Sequence, residues 1–243
     1  MKRLARSMGM VVCVAGALSA AVATAAPTGG FFFADGFDRP DSTDMGPYWV
    51  EQWSDWRVEG NEVRTAPGYK YALMTVDGYE LAEPILEVTI RHDGTIRPTY
   101  VALVCLYLDD ANNIFVKVQD NDLDGLYDTA WFYRGNNREP WGDRVPGRDD
   151  WEDLWPYFSE ARMGTYITGD EVVLGIDRDF DGVFESLYAR GGVPLAELGL
   201  GVGLGGYNDA QADNFLAVPE PATLALMGLG AAVLVATRRK HRV

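Results

Sequence analysis

Leu86, Val88 and Ile90 alternate with Glu87, Thr89 and Arg91. An apolar period of two predicts a strand with one buried face. Ile114, Val116 and Val118 repeat the pattern, as do Val172, Leu174 and Ile176. From Tyr100 to Leu108 nearly every position is apolar, which predicts a central strand covered on both sides. Leu198, Leu200, Val202 and Leu204 alternate with Gly199, Gly201, Gly203 and Gly205. A glycine face of that kind admits a neighbouring sheet, a loop or a ligand at close range. Turn signals fall at Asp77-Gly78, Asp93-Gly94, Asp109 to Asn113, Asp124-Gly125 and Asp181-Gly182. Many short strands between such turns predict an all-β fold, a two-sheet antiparallel sandwich.

The alternation stops between residues 135 and 163, where Trp141, Trp151, Trp155, Tyr157 and Phe158 stand among Asp, Arg and Pro. This reads as an inserted loop, longer than structural connections usually are. Trp151 and Trp155 are four apart, the spacing of one face of a short helix ending near Pro156. An indole face stacks on the apolar face of a sugar ring, and loops on a rigid sandwich are where binding sites sit. Trp141, Trp151 and Trp155 are therefore candidate ligand residues, with Asp149 and Asp150 for hydroxyl contacts. The competing reading is that these rings pin the loop to the sandwich.

Both ends of the chain are apolar in a different way. Lys2, Arg3 and Arg6 precede an apolar run from Met8 to Ala20, and Ala23-Thr24-Ala25 follows. That order predicts a signal peptide over residues 1–25. At the other end Val218-Pro219-Glu220-Pro221 precedes an apolar run from Ala222 to Ala236, then Thr237, Arg238, Arg239, Lys240 and Arg242. The prolines prevent a helix from running through the box. The apolar run would span about 23 Å as a helix, against a hydrocarbon core of roughly 30 Å. Thr237 and the stems of Arg238 and Arg239 can cover the remainder of a membrane segment over residues 222–237. The basic end stays cytoplasmic, which places the domain outside.

Between these segments lies one domain, residues 26–217. The chain has a formal charge of −15; without its basic ends the domain has 35 acidic and 14 basic residues, a net of −21. That balance disfavours nucleic acid and anionic membrane surfaces as partners. Cys105 is the domain's single cysteine, so no internal disulfide forms, and its place in an apolar strand predicts a buried, inert thiol. His92 is the only histidine outside the tail, which disfavours a histidine triad or a multi-histidine zinc site.

One repeat is internal. Asp120-Asn-Asp-Leu-Asp-Gly-Leu-Tyr-Asp128 aligns with Asp177-Arg-Asp-Phe-Asp-Gly-Val-Phe-Glu185. Carboxylates at alternate positions with glycine at the sixth suit a hard cation such as Ca²⁺. The candidate ligands are Asp120, Asp122, Asp124 and Asp128, and Asp177, Asp179, Asp181 and Glu185. Trp131 and Tyr188 stand at the twelfth position, where an EF-hand needs a bidentate glutamate, so an EF-hand is rejected. Weak Ca²⁺ loops and plain Asp-Gly hairpin turns both remain open.

The tail resembles the PEP-CTERM sorting signal of Gram-negative-type bacteria, through Val218-Pro219-Glu220-Pro221, the apolar run, and Arg238-Arg239-Lys240. The resemblance implies recognition by an exosortase, an inner-membrane intermediate, and delivery to the surface or an extracellular matrix. Phe33-Ala-Asp-Gly-Phe-Asp-Arg39, Met45 to Trp49, Trp56-Arg-Val58 and Ala212 to Ala217 resemble the ends of concanavalin-like jelly rolls of the laminin-G/glucanase type. That resemblance implies two curved sheets with adjacent first and last strands, and a structural Ca²⁺ where Asp35 or Asp38 meets Asp213. The expected function is a non-catalytic adhesion or binding domain, with extracellular polysaccharide as partner. A glycan hydrolase and a structural matrix protein without a ligand are the alternatives. The glucanase spacing Glu-x-Asp-x-x-Glu is missing, which argues against the hydrolase.

Overall fold

The computed structural model describes residues 32–68, 71–81, 83–134, 139–140, 151–192 and 198–219. The signal segment 1–25, Trp141, Asp149, Asp150, Glu220, Pro221, the apolar segment 222–237, Arg238, Arg239 and Lys240 lie outside the described residues.

The strands in chain order are β1 (Phe33–Asp35), β2 (Trp49–Trp53), β3 (Trp56–Glu59), β4 (Glu62–Thr65), β5 (Tyr71–Glu80), β6 (Pro84–Arg91), β7 (Thr99–Tyr107) and β8 (Asn113–Asp120). Then follow β9 (Tyr127–Arg134), β10 (Glu139–Pro140), β11 (Trp151–Phe158), β12 (Glu160–Thr168), β13 (Glu171–Asp177), β14 (Ser186–Arg190), β15 (Gly201–Tyr207) and β16 (Gln211–Pro219). They form two antiparallel sheets. Sheet A has the order β14-β13-β12-β6-β16-β4-β3, with β1 also on β16; sheet B has the order β10-β9-β8-β7-β15-β5-β2, with β11 also on β9. The first and last strands are adjacent, Phe33 opposite Ala217 and Asp35 opposite Phe215. β16 runs on through Val218 and Pro219, which pair with Ile85 and Pro84. The start of the sorting box thus lies in the sheet.

The period-two pattern maps onto the core. Leu86, Val88 and Ile90 of sheet A and Ile114, Val116 and Val118 of sheet B are all fully buried in one apolar cluster. Each such side chain contributes about 1.5–3 kcal/mol by leaving water. β7 is a central strand, between β8 and β15; Val101, Leu103 and Cys105 lie in the core between the sheets, while Tyr100 and Ala102 are on the other face. Gly78 has φ +61° inside β5, so Asp77-Gly78 is an irregularity within a strand and not the expected turn. In β15, a Cβ added at Gly206 would lie 2.6 Å from the Thr65 methyl and 3.2 Å from the Trp56 ring. This glycine lets sheet A close on sheet B.

Residues 151–158 correct the reading of an inserted loop with a short helix. Trp151 and Trp155 sit on strand β11, with Trp151 paired to Trp131, Glu152 to Ala130 and Asp153 to Thr129. The open edge of β9 offers a row of backbone donors and acceptors, and pairing with it outweighs an isolated helical turn. The register shifts between Asp153 and Phe158, around Pro156, which has no N–H to give the ladder. β12 then begins at Glu160, in the middle of sheet A.

Cys105 is buried, and its thiol points across the sandwich to Thr165 Oγ1 at 3.3 Å. Burial pushes the thiol up to about 12. We expect no alkylation of Cys105 in the native protein near pH 8 and complete alkylation of it in guanidinium chloride; rapid native labelling of Cys105 would contradict this packing.

Candidate functional site

Where one strand face is buried, the other is free for chemistry. On β8, Phe115, Lys117 and Gln119 alternate with the core residues; on β9, Trp131 and Tyr133 alternate with Ala130 and Phe132. Register aligns these outward residues across sheet B. Tyr71, Tyr207, Tyr100 and Gln119 form one row across β5, β15, β7 and β8. The next row holds Leu73, Gly205, Ala102, Lys117 and Trp131, and the next brings Phe115 opposite Tyr133. Gly205 and Ala102 have almost no side chain, so the rows of rings stand apart with low relief between them.

The result is an open cleft of about 720 Å³, lined by Tyr71, Tyr100, Phe115, Lys117, Gln119, Trp131 and Tyr133, with Trp53, Asp110 and Asn121 also at its wall. The rings support one another: Tyr100 stacks on Tyr207 at 5.7 Å and 9°, and Phe115 on Tyr133 at 5.1 Å and 10°. Trp131 stacks beside Tyr133 at 5.9 Å. Lys117 Nζ lies 4.5 Å from the Tyr100 ring centre, 4.9 Å from Tyr133 and 5.4 Å from Trp131, and donates to Gln119 Oε1. The negative ring faces compensate the ammonium. Trp53 Nε1 and the Tyr107 hydroxyl both donate to Asp110 Oδ1, at 2.7 and 3.1 Å, which ties β2 to the turn after β7.

Sequence reasoning missed this cleft. The signal was present: aromatic residues at outward positions of adjacent strands, where polar residues are expected. Trp155, the described candidate from that reading, is 72% exposed on β11, packs edge-on to Tyr157, and does not line the cleft. Trp151 is placed by its backbone beside Trp131.

The two Asp-rich loops fold alike. Leu123 and Phe180 have φ +66° and +61°, and Gly125 and Gly182 have +89° and +91°. In each, the glycine N–H donates to the first carboxylate, Asp120 Oδ2 or Asp177 Oδ2, at 3.0 and 3.1 Å. The third carboxylate, Asp124 or Asp181, accepts from Leu126 N or Val183 N. The ninth residue, Asp128 or Glu185, accepts from Asn121 N or Arg178 N. These charge-assisted bonds offset the roughly 1–2 kcal/mol of holding a non-glycine in the left-handed region.

Carboxylate oxygens of Asp120, Asp122 and Asp124 converge within 4.8 Å of one another, and so do those of Asp177, Asp179 and Glu185. Asp128 and Asp181 are outside these groups; burial raises the Asp128 carboxyl above its ordinary range. The loops differ at their first residue. Asp120 Oδ1 accepts from Leu123 N at 2.6 Å, and His92 Nε2 lies 3.3 Å from Oδ2. Burial holds that imidazole below its usual pKa. Asp177 Oδ2 accepts from Arg162 Nη2 at 2.5 Å, while its buried Oδ1 has no hydrogen-bond partner among the described residues. An orphaned buried carboxylate oxygen beside two further carboxylates fits a hard cation, so the second loop suits Ca²⁺ better than the first.

At the junction of the terminal strands, Asp35 is committed inside the protein. Its oxygens accept from Arg39 Nη1 at 2.9 and 3.0 Å, Trp49 Nε1 at 2.8 Å and Phe37 N at 2.8 Å. Asp213 is pushed up to about 6, first by burial and then by the carboxylates of Asp38 and Asp35. Its carboxyl binds a proton more tightly folded than unfolded, so stability falls as pH rises from its ordinary value of 3.8 through about 6. Asp213→Asn is expected to raise stability near pH 7 by about 1 kcal/mol, discounted for partial exposure, and to change nothing below about pH 4. Melting curves at the two pH values read this directly.

Residues 217–240 match the PEP-CTERM protein-sorting motif. No curated protein sequence matches the chain. Among solved structures, the exoplasmic/lumenal domain of VIP36 in its Ca²⁺/Man2-bound form is similar, with a TM-score of 0.54 and 11% identity. That form covers 77% of this chain and 87% of its own. The CBM2 module of the evolved Dit of Lactobacillus casei BL23 phage J-1 is also similar, with a TM-score of 0.52 and 8% identity, covering 76% of this chain and 94% of its own. The chain is an all-β, two-sheet antiparallel sandwich with the fold of these domains, and it bears a PEP-CTERM sorting motif. Among the described residues no helix is long and apolar enough to cross a membrane.

Proposed function

We propose that this is an exported, non-catalytic carbohydrate-binding protein, processed by an exosortase and delivered to the cell surface or extracellular matrix. There it holds polysaccharide in the aromatic cleft of sheet B. One observation carries the reading: Trp131, Tyr133, Phe115 and Tyr100 face outward around an open cleft, where sugar rings can stack on them. VIP36, bound to Man2 and Ca²⁺, shares the fold, which is in keeping with this role. The sorting motif supports the export route, with the inner membrane holding the C-terminal segment before processing. A glycosidase needs two carboxyl groups flanking the bond. Asp110 is the one carboxylate at the cleft wall among the described residues, and it is engaged by Trp53 and Tyr107. The test is affinity electrophoresis of the full-length chain through gels loaded with neutral and acidic polysaccharides. Retardation in none of them would sink the reading.

Ca²⁺ is the proposed structural ion, held by Asp177, Asp179 and Glu185. Calorimetry with CaCl₂ on the full chain is expected to lose at least tenfold in affinity on Asp179→Ala, and to be unchanged on Asp122→Ala. At a hundredfold excess over Kd the ion adds about 2.7 kcal/mol, or roughly 5–10 °C in Tm for a domain of this size. An Asp179→Ala isotherm identical to the parent would remove the loop as a site.

A further inference from the structure

The cleft contains one feature that a neutral sugar does not require. Lys117 is only 8% exposed, although it stands on the outward face of β8. Lysines on a sheet surface normally extend the ammonium into water. Here the ammonium lies among the three rings of Tyr100, Tyr133 and Trp131 at 4.5–5.4 Å. Its row neighbours across the sheet are Ala102 on one side and Trp131 on the other. The cation is therefore set between the ring platforms, beside the low positions of the cleft. This placement is unexpected in a domain with a net charge of −21.

We propose that the cleft selects an acidic sugar, with Lys117 Nζ recognising the carboxylate of a uronic acid residue within a polysaccharide. The inference rests on the carbohydrate-binding reading above and names its ligand class. A hexuronate has an apolar ring face for Trp131 or Tyr133 and a carboxylate at the ring edge for the ammonium. A neutral hexose has a hydroxymethyl group at the same position. Hydrogen bonds to a charged acceptor are about twice as strong as neutral ones. Asp110, at the cleft wall, is engaged by Trp53 and Tyr107, and the rest of the domain's acidic surface opposes a polyanion from farther away. At physiological ionic strength that field is screened beyond about 8 Å, so the local contact at Lys117 decides the preference.

The experiment measures binding of the full-length chain, in EDTA, to polygalacturonate, to the same polymer with its carboxyls methyl-esterified, to dextran sulfate and to a neutral glucan. The parent protein is expected to bind polygalacturonate at least tenfold more tightly than the esterified polymer and dextran sulfate. Lys117→Met, which keeps the apolar stem, is expected to bind both uronate polymers equally and weakly. Lys117→Arg is expected to keep the preference, and thermal melts of both variants report whether they fold. Equal affinity of the parent for the two uronate polymers overturns the proposal, as does a tenfold preference that survives Lys117→Met in the folded variant. Equal binding of dextran sulfate overturns the assignment to a carboxylate. Binding to neutral glucan with no acid preference overturns this inference and leaves the carbohydrate reading intact. Binding to none of the four polymers overturns both.

Discussion

Phe215→Ala is expected to lower the unfolding free energy by about 3–5 kcal/mol. Phe215 is 1% exposed and joins the ends of the chain. Its ring meets Trp49 edge-on at 5.2 Å and Phe33 at 6.0 Å, while Phe33 meets Trp49 at 5.5 Å. Phe33 is on β1, Trp49 on β2 and Phe215 on β16, so one ring cluster ties sheet A to sheet B at the terminal strands. Removing Phe215 leaves a cavity and loses ring pairs worth about 0.5–1.5 kcal/mol each. Against a total stability of about 5–15 kcal/mol that is a large fraction. The control is Leu216→Ala. Leu216 is the next residue, on the opposite strand face, in a small patch with Ala34, Val218 and Ile85, and its loss is expected to cost about 1 kcal/mol. Guanidinium unfolding should show a lower midpoint for Phe215→Ala at unchanged m-value. A loss no greater than that of Leu216→Ala would contradict the ring cluster as the tie between the sheets.

Trp131→Ala is expected to weaken polysaccharide binding by about tenfold or more, a tenfold change being 1.4 kcal/mol. The indole is half-buried at the cleft wall, with its Nε1 donating to Thr129 Oγ1 at 3.2 Å. This bond, the Tyr133 stack and the Lys117 ammonium fix the ring before a ligand arrives, so little rotamer entropy is lost on binding. Trp155→Ala is expected to leave binding unchanged, because that ring is outside the cleft. Affinity electrophoresis of the two variants separates the sites. Loss of binding in Trp155→Ala with retention in Trp131→Ala would move the site to the β11 edge.

Some parts of this fold were legible because they depend on neighbours in sequence. Leu86-Val88-Ile90 and Val172-Leu174-Ile176 show a period of two whatever they pack against. The pair of Asp-Gly loops was visible as a repeat, and both loops fold with the same signs of φ and the same amide–carboxylate bonds. Their division of labour was not legible. Asp120 and Asp177 have the same local motif, and they differ through Leu123 N, His92 and Arg162. His92 and Arg162 lie far from the loops in sequence. Trp151 and Trp155 were misread because the i,i+4 spacing of a helix also occurs in a strand, and the free edge of β9 decided between them.

The hydrophobic pattern and the turns were enough to predict an antiparallel sandwich, and the C-terminal segment a sorting motif, since periodicity and segment order are local properties. The cleft needed the fold. Its members Tyr71, Tyr100, Phe115, Lys117 and Trp131 come from four strands, and strand register brings them together. Register is set by which faces two sheets bury against each other, a condition that no stretch of sequence states alone. A lysine that reads as an ordinary surface charge is thereby enclosed by three rings, and its chemistry follows from that enclosure.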